Sequence, residues 1–274
     1  MILQVRRVSI AGLLLFFSLI GAASTQDVTP EEAVTRAVHN ELTTHDKHPF
    51  RYTLRKVDNG KITTKEIIET KDGDIARLIA IDDEPLAPDA ESIEVQRLNM
   101  LLNDPAIQEH RRKREQADTG RADEMVRLLP SAFLYHFEGM VEGPNGPCYR
   151  LSMKPNPSFS PPDRQAQIYH GMAGELWIDQ KQERMVKLDV HLIAGVEFGW
   201  GIVGKLYKGG TILVEQRNVG SHWEQTNLRL NLQGKILLVK SLTINTTEQE
   251  SNFSPVPANW TYKDAARALL SEKP

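Results

Sequence analysis

The sequence predicts an α+β fold in which a large curved antiparallel sheet, an unclosed β-barrel, wraps over helices. The first observation is the stretch from Gly174 to Thr246, where apolar and polar residues alternate in successive strand-like segments. This pattern is typical of a sheet that is wet on one face and covered on the other. The second observation is a helical insertion, about residues 85–130, between two runs of strands.

Two segments of this stretch show the clearest alternation. Residues 186–192 alternate apolar and polar side chains, and residues 228–232 repeat the pattern before a predicted turn at Gln233 and Gly234. The apolar positions are Val186, Leu188, Val190, Leu192, Leu228, Leu230 and Leu232. We expect these seven side chains to line one concave surface that helices cover only in part, which leaves a hollow for an apolar ligand.

The first 24 residues have the three parts of a secretory signal peptide. Two arginines precede an apolar run, residues 10–20, and the small residues 21–24 suit signal peptidase, with Ala23 and Ser24 both fitting as the cleavage position. The alternative, an uncleaved membrane anchor, needs about 20 apolar residues, more than this run contains. We therefore expect an exported protein of the periplasm of a Gram-negative bacterium. The mature chain, residues 25–274, is predicted to be a single domain that includes the helical insertion and has no transmembrane span.

The chain before the insertion predicts one helix and three strands. Residues 29–32 form a capping box with proline at the first helical position, and the helix should end near His45. A strand then leads to Asn59-Gly60, a strong hairpin signal. The return strand is predicted over residues 61–70, and a third strand over residues 75–81.

The helical insertion begins where Pro85 and Pro88 interrupt the sheet. Its apolar residues with helical spacing are Ile93, Leu98, Leu101 and Leu102. Residues 110–115 form a basic cluster, which suits either a solvated helix face with internal ion pairs or contact with an anionic membrane surface. Because the insertion is charged and flanked by prolines, we expect it to be the mobile part of the fold.

Strand signals return after the insertion. Residues 133–141 and 149–153 are predicted strands around a Gly/Pro turn, and residues 155–162 are too rich in proline for a central strand. The chain is predicted to close with a short helix over residues 263–270.

Charge and motifs exclude several classes of function. Without the two leader arginines, 31 basic residues stand against 36 acidic ones, so composition gives no reason to expect a nucleic acid partner. Residues 199–204 match Gly-x-Gly-x-x-Gly, but Gly209 and Gly210 follow too soon for the helix that a dinucleotide site requires. No cofactor is therefore predicted. Cys148, the single cysteine, is expected to be a small residue beside a turn rather than a nucleophile.

No catalytic signature selects an enzyme class. Neither a Gly-x-Ser-x-Gly elbow nor a His-Glu-x-x-His helix is present, and His45 and His48 have no third metal ligand nearby in sequence. Four histidines on or near predicted strands are the remaining candidates for a site assembled in space: His136, His170, His191 and His222. We therefore predict a protein that is not an enzyme.

The order of elements resembles the LolA/LolB-like superfamily of periplasmic proteins. The resemblance is sharpest at residues 175–192 and at His222-Trp223, and the chain is also similar to exported proteins of soil bacteria without an assigned activity. It implies an unclosed β-barrel over a helix, with an apolar hollow that holds acyl chains of lipids or lipoproteins. The chain departs from the lipoprotein carriers by its long insertion, and no residue here matches their functional arginine.

These observations favour a binding protein that shelters an apolar ligand, a lipid or a lipoprotein acyl chain. One alternative is an interaction protein that senses the state of the envelope through a protein partner. Another is an exported hydrolase whose residues meet only in space, which a cluster of three or more of the four histidines would indicate.

Overall fold

Thirteen strands form one antiparallel sheet in the computed structural model, which describes residues 28–43, 49–198, 203–220, 222–237 and 240–271. The helices are α1 (Pro30–Thr43), α2 (Pro88–Asn103), α3 (Pro105–Ala132) and α4 (Tyr262–Ser271), and a 3₁₀-helix spans Gln165–Gly171. The strands are β1 (Phe50–Asp58), β2 (Lys61–Ile68), β3 (Ile75–Ile81), β4 (Glu84–Pro85), β5 (Phe133–Gly143), β6 (Gly146–Pro155), β7 (Met172–Asp179), β8 (Met185–Leu192), β9 (Val196–Phe198), β10 (Gly204–Leu206), β11 (Thr211–Val219), β12 (His222–Ile236) and β13 (Lys240–Pro255). The predicted leader, His45 and His48 lie outside the described residues.

The strand order confirms the predicted fold class. Neighbouring strands follow the order β4-β3-β2-β1-β13-β12-β11-β8-β7-β6-β5, and β10 joins β12 and β9 beside this path. Strands from before and after the helical insertion therefore share one sheet. Because β4 and β5 are its two ends and do not pair with each other, the sheet is open rather than a closed barrel.

Local signals account for the start of α1 and for the first hairpin. The Thr29 N–H donates to Glu32 Oε2 at 3.1 Å, and the Glu32 N–H donates to Thr29 Oγ1 at 3.2 Å, which is the reciprocal capping box. Asn59 and Gly60 both have positive φ, 49° and 91°, as a two-residue hairpin turn requires.

Three predicted details are wrong. The strand β2 ends at Ile68 instead of residue 70. Pro85 does not end the sheet, because it belongs to the edge strand β4 and pairs with Ala80 of β3. The turn predicted at Gln233 and Gly234 lies inside β12. Gly234 is needed there because β10 crosses so closely that a Cβ would collide with the Lys205 carbonyl.

The main core lies at the β5–β8 end of the concave face, where α1, the last turns of α3 and the 3₁₀-helix pack against the sheet. Its most buried members include Val34, Ala37, Leu129, Phe133, Leu151, Leu176, Val190 and Leu192. The proline-rich connection after β6 leads into the 3₁₀-helix, which the sequence did not predict. This end of the sheet is sealed.

A second core lies at the other end of the sheet and on its other face. Ile68 and Ile75 alternate in direction with Ile67 and Ala76, so they point away from the concave side. They pack against α2 and α4 in a cluster made of Ile68, Ile75, Leu98, Leu101, Ala265, Ala266 and Leu269. Ile93, expected to be apolar core, is 67% exposed. Hence α2 does not cover the concave face.

The α2 helix also protects the part of β3 that the short edge strand β4 leaves unpaired. Glu94 accepts a hydrogen bond from the Leu78 N–H at 2.8 Å, and Arg97 donates to the Ala76 carbonyl at 2.5 Å. Since unpaired edge groups invite pairing with another chain, a helix that satisfies them blocks that edge.

The α3 helix connects the two ends of the sheet. With 28 residues it is about 42 Å long. Near its start, Gln108 donates to the Asp72 carbonyl at 2.7 Å, and near its end Tyr169 donates to the Met125 carbonyl at 2.7 Å. Between these anchors, residues 116–122 are exposed on every side of the helix. This middle section therefore bridges open space instead of packing on the sheet. No described helix is long and apolar enough to cross a membrane.

Replacing Gly120 with Ala in this bridging section should stabilise the protein by about 0.5–1 kcal/mol, because glycine is a poor residue in a helix interior. A Cβ at this position meets no atom within 4 Å. The urea midpoint measures the effect. Gly174→Ala is the matched control and should destabilise, since its Cβ would collide with the Asp189 carbonyl. A Gly120→Ala midpoint at or below that of the unaltered protein would contradict the bridging helix.

Candidate functional site

The candidate site is the middle of the concave face, which the helices leave largely uncovered. Strand register places Leu188, Val214 and Leu228 opposite one another on β8, β11 and β12. Leu230 lies in the next row, opposite Ile212, and Leu54 lies on the same face of β1, opposite Glu250. We call the half-buried residues Leu54, Leu188, Val214, Leu228 and Leu230 the central groove.

The seven apolar candidates differ in how far they are buried and in the face on which they lie. Val190, Leu192 and Leu232 are 1%, 1% and 7% exposed and belong to the main core, where no ligand reaches them without a rearrangement. Leu188, Leu228 and Leu230 are half-buried and line the central groove.

Val186 is separated from the other six candidates by a β-bulge. Trp177 pairs with Lys187 and Ile178 pairs with Met185, so Val186 is an extra residue in β8. Met185 takes the core position instead, and Val186 lines a hollow of about 230 Å³ with Trp177 and Lys187. It therefore lies on the convex side and not in the central groove.

Aromatic side chains close the groove at the side of β1. Phe50 and Tyr52 alternate with Arg51 on β1, and Tyr52 stacks on Phe253 with ring centroids 5.4 Å apart. His222, one of the four candidate histidines, contacts the edge of Phe50 at 5.3 Å between centroids. These rings and Ile67 form a small cluster that is separate from both cores.

Four carboxylates gather at the end of the groove where β1 and β12 begin: Glu69, Asp74, Glu224 and Glu250. Glu250 lies opposite Leu54 and therefore in the groove itself. Unlike Glu248, whose carboxylate pairs with Lys56 Nζ at 2.7 Å, none of the four forms an ion pair within the part of the chain that the structure describes. The groove is thus apolar across β8, β11 and β12, is bordered by the Glu248–Lys56 pair on β13 and β1, and is acidic at one end.

Burial raises the pKa of each carboxyl in this group. The pKa values of Glu69, Asp74 and Glu224 rise to about 7 and that of Glu250 to about 8, with repulsion among the carboxylates as a further cause. Nearby arginines offset this only in part, because Arg184 lowers the pKa of Glu224 and Arg111 that of Asp74.

The α3 helix covers the acidic end. Glu115 Oε1 accepts a hydrogen bond from the Asp74 N–H at 3.2 Å, and Arg111 donates to the Asp74 carbonyl. Gly73, with φ 100°, has no room for a side chain because the Glu115 carboxylate lies against it. The predicted basic cluster therefore does not form one free surface: Arg111 binds the sheet, and Glu109 pairs with Arg112 at 2.8 Å and with Lys113 at 3.5 Å.

A second cleft, of about 590 Å³, lies beside the 3₁₀-helix. Arg164, Gln167, His170 and Glu197 contribute to its wall. Its wall mixes apolar residues with these charged and polar side chains, so it suits an acyl chain less well than the central groove does.

The other candidates for chemistry lie apart. His136 and His191 are exposed on β5 and β8, while His170 is in the 3₁₀-helix. The described residues contain no group of three or more side chains suited to hold a metal ion. Burial raises the pKa of the Cys148 thiol to about 11, opposite to the shift that activates a nucleophile. The described end of the glycine motif, Gly204, begins the strand β10 and not a helix.

Comparisons with known proteins concern the fold alone. No protein-family model and no curated protein matches the sequence. Among solved structures, a domain named for outer membrane lipoprotein sorting from Vibrio parahaemolyticus is 10% identical, with a TM-score of 0.31 over 87% of this chain and 98% of that chain. A LolA superfamily protein from Nitrosomonas europaea is 8% identical, with a TM-score of 0.27 over 82% of this chain and 93% of that chain.

A chain of the MucA/MucB complex of Pseudomonas aeruginosa is 12% identical, with a TM-score of 0.24 over 83% of this chain and 99% of that chain. The matched structures thus include the superfamily that the sequence resembles. At such TM-scores they carry no argument about ligand or partner.

The acidic end of the groove was missed from the sequence. The alternation of Glu248 and Glu250 in β13 could have shown two carboxylates on one face. Glu69, Asp74 and Glu224, however, come from segments that only the folded sheet brings together.

Stability should fall as pH rises from about 5 to about 8.5. The folded-state pKa of each of the four carboxyls is raised, so the native state binds more protons than the unfolded chain across this range, and folding weakens as they ionise. Urea titrations at both pH values measure the loss.

Glu250→Gln should remove part of this loss and stabilise the protein by about 1–3 kcal/mol at pH 8.5, since one pKa unit corresponds to about 1.4 kcal/mol. The exposed Glu84→Gln is the matched control and should change little. Equal stability of the unaltered protein at both pH values would show that folding does not raise the pKa values of these carboxyls.

Proposed function

We propose that this protein is an exported binding protein of the Gram-negative periplasm that shelters an apolar ligand, the acyl chain of a lipid or lipoprotein, in the central groove. The mature chain, residues 25–274, acts as a single domain. The observation that carries the proposal is the set of half-buried apolar side chains on the concave face, between one sealed end and one aromatic side wall.

An acyl chain suits this surface in shape and chemistry. Leu188, Val214 and Leu228 lie opposite one another on the neighbouring strands β8, β11 and β12, roughly 5 Å from strand to strand. With Leu230 in the next row of β12, they make a continuous apolar strip. Each methylene buried there contributes about 0.8 kcal/mol. The bridging section of α3 leaves the strip reachable from solvent, because its residues 116–122 do not pack on the sheet.

One observation favours the alternative of an envelope protein partner. The strand β5 is the open end of the sheet, and it exposes Leu134, Phe137 and Met140. It contains no lysine and no proline, two residues that commonly protect an edge from pairing. An extended segment of a partner could add to this edge as a further strand. Among the described residues, no arrangement of side chains favours a hydrolase.

The groove proposal predicts that protein isolated from a native-like envelope carries lipid that mass spectrometry detects after organic extraction. It also predicts that the neutral apolar dye N-phenyl-1-naphthylamine binds the delipidated protein. Leu230→Glu should weaken dye binding at least about tenfold, because a carboxylate in the strip costs at least about 1.4 kcal/mol.

The exposed Ile93→Glu on α2 is the matched control and should leave dye binding unchanged. A melting curve for each variant separates lost binding from lost folding. An empty extract together with no dye binding by the folded, unaltered protein would rule out the groove as a ligand site.

A further inference from the structure

We propose that the ligand of the central groove carries a positive charge, so that it is a cationic amphiphile with an amine or ammonium head. This rests on the proposed function and adds the class of ligand to it. The apolar chain would lie along Leu188, Leu228 and Leu230, and the head would lie among the carboxylates at the end of the groove.

The register of the sheet makes the apolar strip and the acidic end continuous. Leu228 lies opposite Glu248, and Glu250 lies two residues further along the same face of β13, opposite Leu54. Glu69 and Asp74 flank the β2–β3 turn beside this point and interact electrostatically with Glu250. A chain that follows the strip towards this end therefore meets carboxylates.

Three cations that the structure describes near these carboxylates already have partners. Lys56 pairs with Glu248 at 2.7 Å, and Arg184 forms two hydrogen bonds with Glu41 of α1, at 3.0 and 2.9 Å. Arg111 donates to the Asp74 carbonyl and to Gln108. Among the described residues, carboxylates therefore outnumber the free cations at this site.

The excess of carboxylates at the end of the groove favours one charge of ligand head group over another. A half-buried carboxylate without a partner is costly, and a cation of the ligand removes that cost. An anionic head, by contrast, meets like charge at close range and is rejected. The pKa values of these carboxyls are raised first by burial and further by repulsion among the carboxylates. In the described residues the carboxylates do not converge into a metal-binding group, which favours a broad ammonium head over a compact ion.

The test compares three probes that share a twelve-carbon chain: dodecyltrimethylammonium, dodecyl maltoside and dodecanoate. Each is titrated below its micelle concentration at pH 8.5 against displacement of N-phenyl-1-naphthylamine. We expect the cationic probe to bind at least about tenfold more tightly than the neutral one, and the anionic probe to bind more weakly than the neutral one. At pH 5.5 this preference should shrink to less than about threefold, because the carboxyls become protonated while the ammonium keeps its charge.

The double variant Glu69→Gln/Glu250→Gln should lower the ratio of cationic to neutral affinity at pH 8.5 to less than about threefold. The exposed pair Glu84→Gln/Glu142→Gln removes the same charge elsewhere and should keep the ratio. The pH series on the unaltered protein gives the same information without any variant, so a folding defect does not block the test.

Two outcomes would overturn the cationic head, and a third would overturn the proposed function. Equal binding of all three probes would overturn the cationic head and leave the apolar groove standing. An unchanged ratio in Glu69→Gln/Glu250→Gln would show general attraction to an acidic protein and would also overturn it. Failure of every probe, including the neutral one, to bind would overturn the proposed function itself.

Discussion

The width of the sheet is the constraint on which the rest of the structure depends. Eleven strands follow one another along its main path, and at roughly 4.8 Å between strands their arc is about 48 Å wide. A helix with its side chains is only about 10–12 Å across. The chain places α1 and the end of α3 on one part of the concave face and sends α2 and α4 to the other side. The middle strands therefore keep a face that none of the described helices seals.

The two ends of the concave face are covered by different kinds of contact, and this difference determines which residues line the middle strands. At β5–β8 the packing is apolar and tight, as in any protein core. Over the β2–β3 turn, α3 docks through Gln108, Arg111 and Glu115, so that contact is polar and brings carboxylates with it. An apolar strip that ends among carboxylates without an ion pair to any described residue follows from these two kinds of closure. The strip supplies affinity for a chain, and the carboxylates supply selectivity for its head.

Much of the sheet could be predicted because alternation is a local property that each strand carries in its own residues. The helical insertion was equally visible, since prolines and apolar spacing mark its limits. The alternation of apolar and polar residues does not show where a β-bulge interrupts a strand. Val186 was therefore assigned to the wrong face of β8. Nor can alternation separate the sealed Val190 from the half-open Leu188, because that difference depends on where a helix crosses. The acidic end combines three distant segments, the β2–β3 turn, β12 and β13, which single-sequence reasoning does not join.

The most direct measurement of the central claim is a methyl NMR titration of Leu- and Val-labelled protein with dodecyl maltoside, whose neutral head leaves the charge question aside. The account predicts that the methyl resonances of Leu188, Leu228 and Leu230 shift together with one dissociation constant. Those of the sealed Val190, Leu192 and Leu232 should stay in place. Shifts confined to the sealed residues or to the exposed Leu134 of β5, with Leu228 and Leu230 unmoved, would contradict a ligand site in the central groove.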